Sequence, residues 1–236
     1  MAKIDKRQYS KSEWHSIRAQ RRQEKNIKRQ VKLTDVDLSI DKTKTIFVVG
    51  NGTSRKSVNL TVLKKYGKVY GCNALYREFD PDVLVAVDTK MVLELNNAKY
   101  QHRVPVWTNP NKSYSKMTGF NFFNPSKGWS SGPTALWKAS EDAAEKIYIL
   151  GFDYKGLGDD YDKVNNVYAG TKNYKKENET ATFYGNWLKQ TAITVQKNKQ
   201  TRYIRVIKDG GFVPKELTNL SNLTHISIEE FTNFFK

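Results

Sequence analysis

A layered α/β sandwich with a mainly parallel sheet is what this sequence predicts, and three observations predict it. Short apolar runs alternate with amphipathic stretches from Thr43 onward, the sign of repeated βαβ units. Runs such as "TIFVV" and "DVLVAV" are apolar on both faces, as a strand covered from both sides must be. Gly, Asn, Asp and Ser gather just after these runs, where an open parallel sheet keeps its site. The expectation is a Rossmann-like three-layer α/β/α core over residues 43–236, preceded by a basic helical arm over 1–42.

The arm comes first. Residues 1–32 hold eleven Lys or Arg against three Asp or Glu, a net +8 and half of the chain's +16. Ser10-Lys11-Ser12-Glu13 fits a capping box. Trp14, Ile17, Ile27 and Val31 mark one thin stripe of a helix over 12–31, too sparse to bury much. In the core, strands are expected at Thr45–Val49, Lys68–Cys72, Val83–Val87, Val104–Trp107, Lys146–Leu150 and Arg202–Ile207. Helices are expected at Leu60–Tyr66, Lys90–Asn96, Gly132–Glu145, Thr180–Lys197 and Ile228–Phe235. Residues 108–131 and 155–179 are polar and rich in Tyr, Asn and Gly, long enough to be binding loops or lids.

The bulk numbers bound the rest. A chain of 236 residues with 38% apolar and 12% aromatic content can bury a sizeable core. The positive excess favours anionic partners: nucleotides, nucleic acid or acidic surfaces. The single cysteine, Cys72, excludes an intrachain disulfide, fits a reducing compartment and reads as core filler. No apolar run reaches the roughly 20 residues of a membrane helix, and the N-terminus lacks the apolar stretch of a secretory signal. A cytoplasmic protein with no membrane span is expected.

"GNGTSRKS" follows the first strand, over Gly50–Ser57. Gly50, Lys56 and Ser57 have the spacing of a phosphate-binding P-loop, but Arg55 stands where its second Gly belongs. Arg55 also breaks the G-x-G-x-x-G dinucleotide pattern. A structural bend remains open beside a nucleotide turn, in which Gly50, Asn51, Gly52 and Ser54 offer backbone N–H groups and polar side chains. Other strand ends add candidates. Asn73 follows the second strand, Asp88 the third, and Asp153 and Tyr154 the fifth. Ser130, Ser131 and Gly132 open the helix "SSGPTALW", whose free N–H groups attract anions. Taken singly, Asn73, Asp88 and the serines also read as turn or helix caps.

"VVGNGTS", "YGCNALY", "SSGPTALW" and "IYILGFDY" come in an order that resembles the bacterial sialyltransferases of glycosyltransferase family 42. "PDVLVAVD" and the Gly-opened helix before "IYILGFD" are similar to hydroxymethylpterin pyrophosphokinase-like domains of unknown function. The set also resembles uncharacterised proteins of tailed bacteriophages. The likeness covers about residues 44–155. It implies a nucleotide-activated sugar of the CMP type as donor. Asn51 and Gly52 would contact the nucleotide, Asn73 its ribose or base, and Ser131 and Gly132 its phosphate. Asp153 would be the acidic residue after the fifth strand, with Tyr154, Tyr161 and Tyr168 stabilising the leaving phosphate. One departure is clear: the family's general-base His has no counterpart in "KKENETATFYGNW", where Glu177 or Glu179 would have to stand in. His15, His102 and His225 lie elsewhere, His225 expected at a strand end or exposed. The pyrophosphokinase likeness implies Mg²⁺ on Asp88 and Asp153. Asp159, Asp160 and Asp162 read as a solvated loop. The competing function is a phage virion or DNA-associated protein that binds nucleic acid through residues 1–32.

Overall fold

The structure, a computed structural model, describes residues 38–142, 144–208 and 212–235. The helix expected over 12–31 and its capping box lie outside them. Eight strands form one sheet: β1 Thr45–Val49, β2 Lys68–Cys72, β3 Val83–Val85, β4 Val106–Thr108, β5 Phe120–Phe122, β6 Lys146–Leu150, β7 Arg202–Ile207 and β8 Leu223–Ser227. Their order is β5-β4-β3-β2-β1-β6-β7-β8, every pair parallel. Among the described residues five helices accompany them: α1 Leu60–Leu63, α2 Thr89–Asn97, α3 Ser131–Glu141, α4 Gly185–Lys197 and α5 Ile228–Phe234. This is the Rossmann-like α/β architecture the sequence predicts.

The period-two alternation of the strands divides the core. Phe47 and Val49 of β1 with Tyr148 and Leu150 of β6 face one layer, where α1, α2 and α5 contribute Leu63, Leu95 and Phe231. Ile46, Val48, Ile147 and Ile149 face the other, under Leu136 of α3 and Val195 of α4. Both faces of β1 are therefore covered and all five of its residues are buried. Leu38 and Ile40, ahead of the expected boundary at residue 43, pack against the first layer.

Candidate functional site

The strand order reverses between β1 and β6, so the chains leaving these two strands part at their C-terminal ends. A cleft of about 500 Å³ opens there. Gly50, Asn51, Gly52, Asn73, Asp88, Ser130, Ser131, Gly132, Asp153 and Tyr154 are on its walls, and Ser54, Tyr161 and Tyr168 are not.

The turn after β1 is shaped by the turn after β6. A Cβ on Gly50 would stand 2.7 Å from the Gly151 carbonyl oxygen and from the Phe152 ring. One on Gly52 would stand 2.5 Å from the Asp153 carboxylate. Gly50 and Gly52 donate N–H bonds of 2.8 Å to Leu150 and Gly151. Two turns at van der Waals contact thus explain both glycines. Arg55, 3% exposed, locks the arrangement from below. Its Nε donates to the Gly50 carbonyl at 2.7 Å, and its guanidinium reaches Glu78 at 2.6 Å and the Tyr168 hydroxyl at 3.0 Å. Thr53–Ser57 winds into a short 3₁₀ segment. Its leading N–H groups are already engaged, Thr53 by Asn165 Oδ1 at 2.9 Å and Ser54 by Asp153 Oδ2 at 3.1 Å. The donors a P-loop would turn to phosphate serve the protein's own oxygens.

Those contacts reassign several residues. Asp153 caps the 3₁₀ segment: its second oxygen accepts the Ser54 hydroxyl at 2.5 Å. In the expected Asp88–Asp153 pair for Mg²⁺, each Asp153 oxygen accepts one bond from Ser54. Among the described residues no three His, Cys, Asp or Glu come together as a metal site. Tyr154 has a buried ring and donates its hydroxyl to Thr191 Oγ1 at 2.7 Å, beneath the Arg205 guanidinium 5.1 Å from its ring centre. Burial drives its pKa up and keeps the hydroxyl neutral. Tyr161 lies under the Lys155 ammonium, 4.7 Å from its ring centre. The Tyr168 hydroxyl is held by Glu78 and Arg55.

Another tyrosine reaches the cleft instead. The Tyr174 hydroxyl accepts from Asn51 Nδ2 at 3.4 Å and from the Ala74 N–H at 3.3 Å. Arg77 fixes the segment that carries it, binding Glu94 of α2 at 2.6 Å, Thr171 Oγ1 at 2.8 Å and the Lys172 carbonyl at 2.9 Å. The Val167 N–H adds a bond of 2.8 Å to the Asn51 carbonyl. The 155–179 stretch is thus a pinned cleft wall. Asn51 Oδ1 and Asn73 Oδ1 are buried and have no partner among the described residues. Asn73 (φ 51°), Tyr154 (φ 54°) and Asn173 (φ 69°) hold left-handed backbone on the cleft walls, a conformation that concentrates at binding sites because it costs about 1–3 kcal/mol to hold.

Helix starts supply the cleft's field. α1 is capped by Asn59, which accepts from the Thr61 N–H, and α5 by the reciprocal Ser227–Glu230 box. Neither cap residue lines the cleft. The N-cap residues Asp88 of α2, Ser130 of α3 and Tyr184 of α4 all line it, and none caps its helix with its side chain. The N–H groups of Ser131 and Gly132 precede the first helical bond of α3, from Thr134 to the Ser130 carbonyl at 3.0 Å. The Ser131 hydroxyl is occupied differently, accepting from the Val87 N–H at 3.0 Å. Three partial positive charges therefore converge on one space.

Asp88 and Lys155 complete the walls. Asp88 is reached by solvent, yet the cleft crowds it enough that desolvation raises its pKa, against a hydrogen bond from Asn73 that lowers it. Lys155 is shifted down by desolvation, with Asp153 opposing. Cys72 is buried, donates to the Val49 carbonyl at 3.6 Å and has its thiol pushed up to about 12 by burial. Glu177, Glu179, His102 and His225 are not on the cleft walls. His225 is a buried residue within β8, not an exposed one. Sequence reasoning missed Tyr174, Lys155, Tyr184 and Trp187, which line the cleft from the 155–187 region. Its excess of Asn and Tyr was the signal, but no spacing distinguishes the useful tyrosine. Comparison with protein-family models, curated proteins and solved structures gives no match.

Proposed function

We propose that the protein binds a nucleotide in the β1/β6 cleft and works as a glycosyltransferase-like transferase on a nucleotide-activated sugar. The observation that carries this reading is the division among helix starts: the two away from the cleft are capped by side chains, and the three on its walls are not. Omitting a cap costs about 1 kcal/mol, and an anion at those N–H groups restores it. In this reading Ser131 and Gly132 hold the phosphate and Lys155 neutralises charge as it departs. Asn51, Asn73 and Tyr174 hold the ribose or base. The test is incubation with a panel of nucleotide-activated sugars, CMP-sugars included, while the freed nucleotide is followed chromatographically. Release from one base class supports the reading, and intact donors throughout would contradict the transferase part.

A second reading is favoured by the +8 on residues 1–32: a virion or DNA-associated protein that reuses the fold. It expects DNA binding that weakens steeply with salt and is lost when those residues are removed.

A further inference from the structure

We infer that Asp88 is the proton acceptor of the cleft, the base that takes the proton of the acceptor hydroxyl. This rests on the nucleotide-sugar reading and names the group that replaces a histidine in it.

The assignment follows from what the other polar groups of the cleft are doing. Asp88 and Asp153 are the two carboxylates among the described lining residues. Asp153 is engaged by Ser54 on both of its oxygens. Tyr154 is committed to Thr191, and Cys72 is a buried thiol donating to a backbone carbonyl. Lys175 donates to the Thr180 carbonyl at 3.0 Å, and Lys155 brings positive charge, which suits a leaving phosphate. Asp88 is the more exposed of the two carboxylates and makes no capping bond.

Its placement also departs from local rule. Asp is among the best N-cap residues, and Asp88 occupies the N-cap of the nine-residue α2, yet makes no capping bond. Asn73 shares the cleft wall with it, held at φ 51° with its Oδ1 buried and without a partner among the described residues. A carboxylate that forgoes a helix, with an amide held in a disfavoured conformation beside it, is a local conflict of the kind that marks functional positions. The preceding residue ties Asp88 to the phosphate side, since the Val87 N–H donates to Ser131 Oγ at 3.0 Å. Proton acceptor and anion cradle are thus joined by one hydrogen bond.

The step balances. The acceptor O–H bond breaks and its proton passes to the Asp88 carboxylate. The acceptor oxygen forms a bond to the anomeric carbon of the sugar. The bond from that carbon to the donor phosphate oxygen breaks, and its electron pair leaves with the phosphate, facing the Ser131 and Gly132 N–H groups. Asp88 then returns the proton to solvent.

The experiment uses the full chain with CMP for binding and a CMP-activated sugar for turnover, water standing in for the acceptor. Asp88→Asn keeps the shape and removes the base. The expected result is an unchanged thermal shift with CMP and a fall in CMP release of about 10²-fold or more, partly recovered in Asp88→Glu. Equal release by Asp88→Asn and wild type overturns the inference and leaves the nucleotide reading standing. Loss of the CMP shift in Asp88→Asn also overturns it, making Asp88 a binding residue. A wild type that binds CMP and releases none removes both the transfer and the base, and a wild type with no CMP shift removes the CMP pocket beneath them.

Discussion

Single residues decide how the cleft is built. Arg55 fills the position that a phosphate loop reserves for glycine, and its contact with the Gly50 carbonyl converts a loop that resembles an anion cradle into a braced turn. The sequence shows the substitution plainly, but not that Asp153 and Asn165 take the N–H groups it leaves, because those partners stand 99 and 112 residues away. His225 illustrates the same limit: "LTHIS" reads as a polar interruption, whereas its imidazole lies in the core beside Arg205 on the neighbouring strand. Neither ring nitrogen has a well-formed bond among the described residues. Desolvation, then the Arg205 charge, lower its pKa to about 4, with the Leu217 backbone opposing. The folded ring stays neutral while the unfolded ring protonates near its ordinary value of about 6.5. Stability from this site is therefore whole above about pH 6.5 and is lost as pH falls toward 4, by up to about 3 kcal/mol. His225→Leu is expected to narrow the gap between urea midpoints measured at pH 7.5 and pH 4.5; an equal gap in variant and wild type would refute the assignment.

Whole elements were legible where burial is complete. β1, β2, β6 and β7 fall on the expected residues, since strands covered on both faces are mostly apolar, the buried Arg205 of β7 excepted. β5 and β8 were not anticipated. They are the edges of the sheet, and Asn121, Thr224 and His225 interrupt their apolar runs. α4 starts at Gly185 and not at Thr180, because Thr180 is bridged to Lys163 and Tyr184 precedes the helix on the cleft wall. Helix caps give an element-scale test of the account. Ser227→Ala removes a working cap and is expected to cost about 1 kcal/mol in denaturant unfolding. Ser130→Ala removes a side chain that makes no cap and is expected to stay within about 0.5 kcal/mol. Equal losses would mean that α3 is capped after all and that its N-terminus is not held open for a ligand.

At the scale of the molecule, the fold class and the strand-end part of the cleft wall could be read from the chain, because parallel-sheet topology sends strand ends to one place whatever the loops contain. The roles of the tyrosines could not. Tyr154, Tyr161 and Tyr168 lie on one long stretch with Tyr174, and only tertiary ties through Arg55 and Arg77 decide which hydroxyl meets the cleft. Among the described residues no helix is long and apolar enough to cross a membrane. The chain's +16 is consistent with an anionic ligand, and the uncapped helix starts on the cleft walls favour negative charge there. The most direct test is a thermal-shift screen of the full chain with CMP, CDP, UDP, GDP, ADP and their sugars. A ligand at about 100 times its dissociation constant adds about 2.7 kcal/mol to the native state, an easily read rise. The account predicts that rise for one base class, with its loss in Asn51→Ala and Asn73→Ala; no rise with any nucleotide would contradict it.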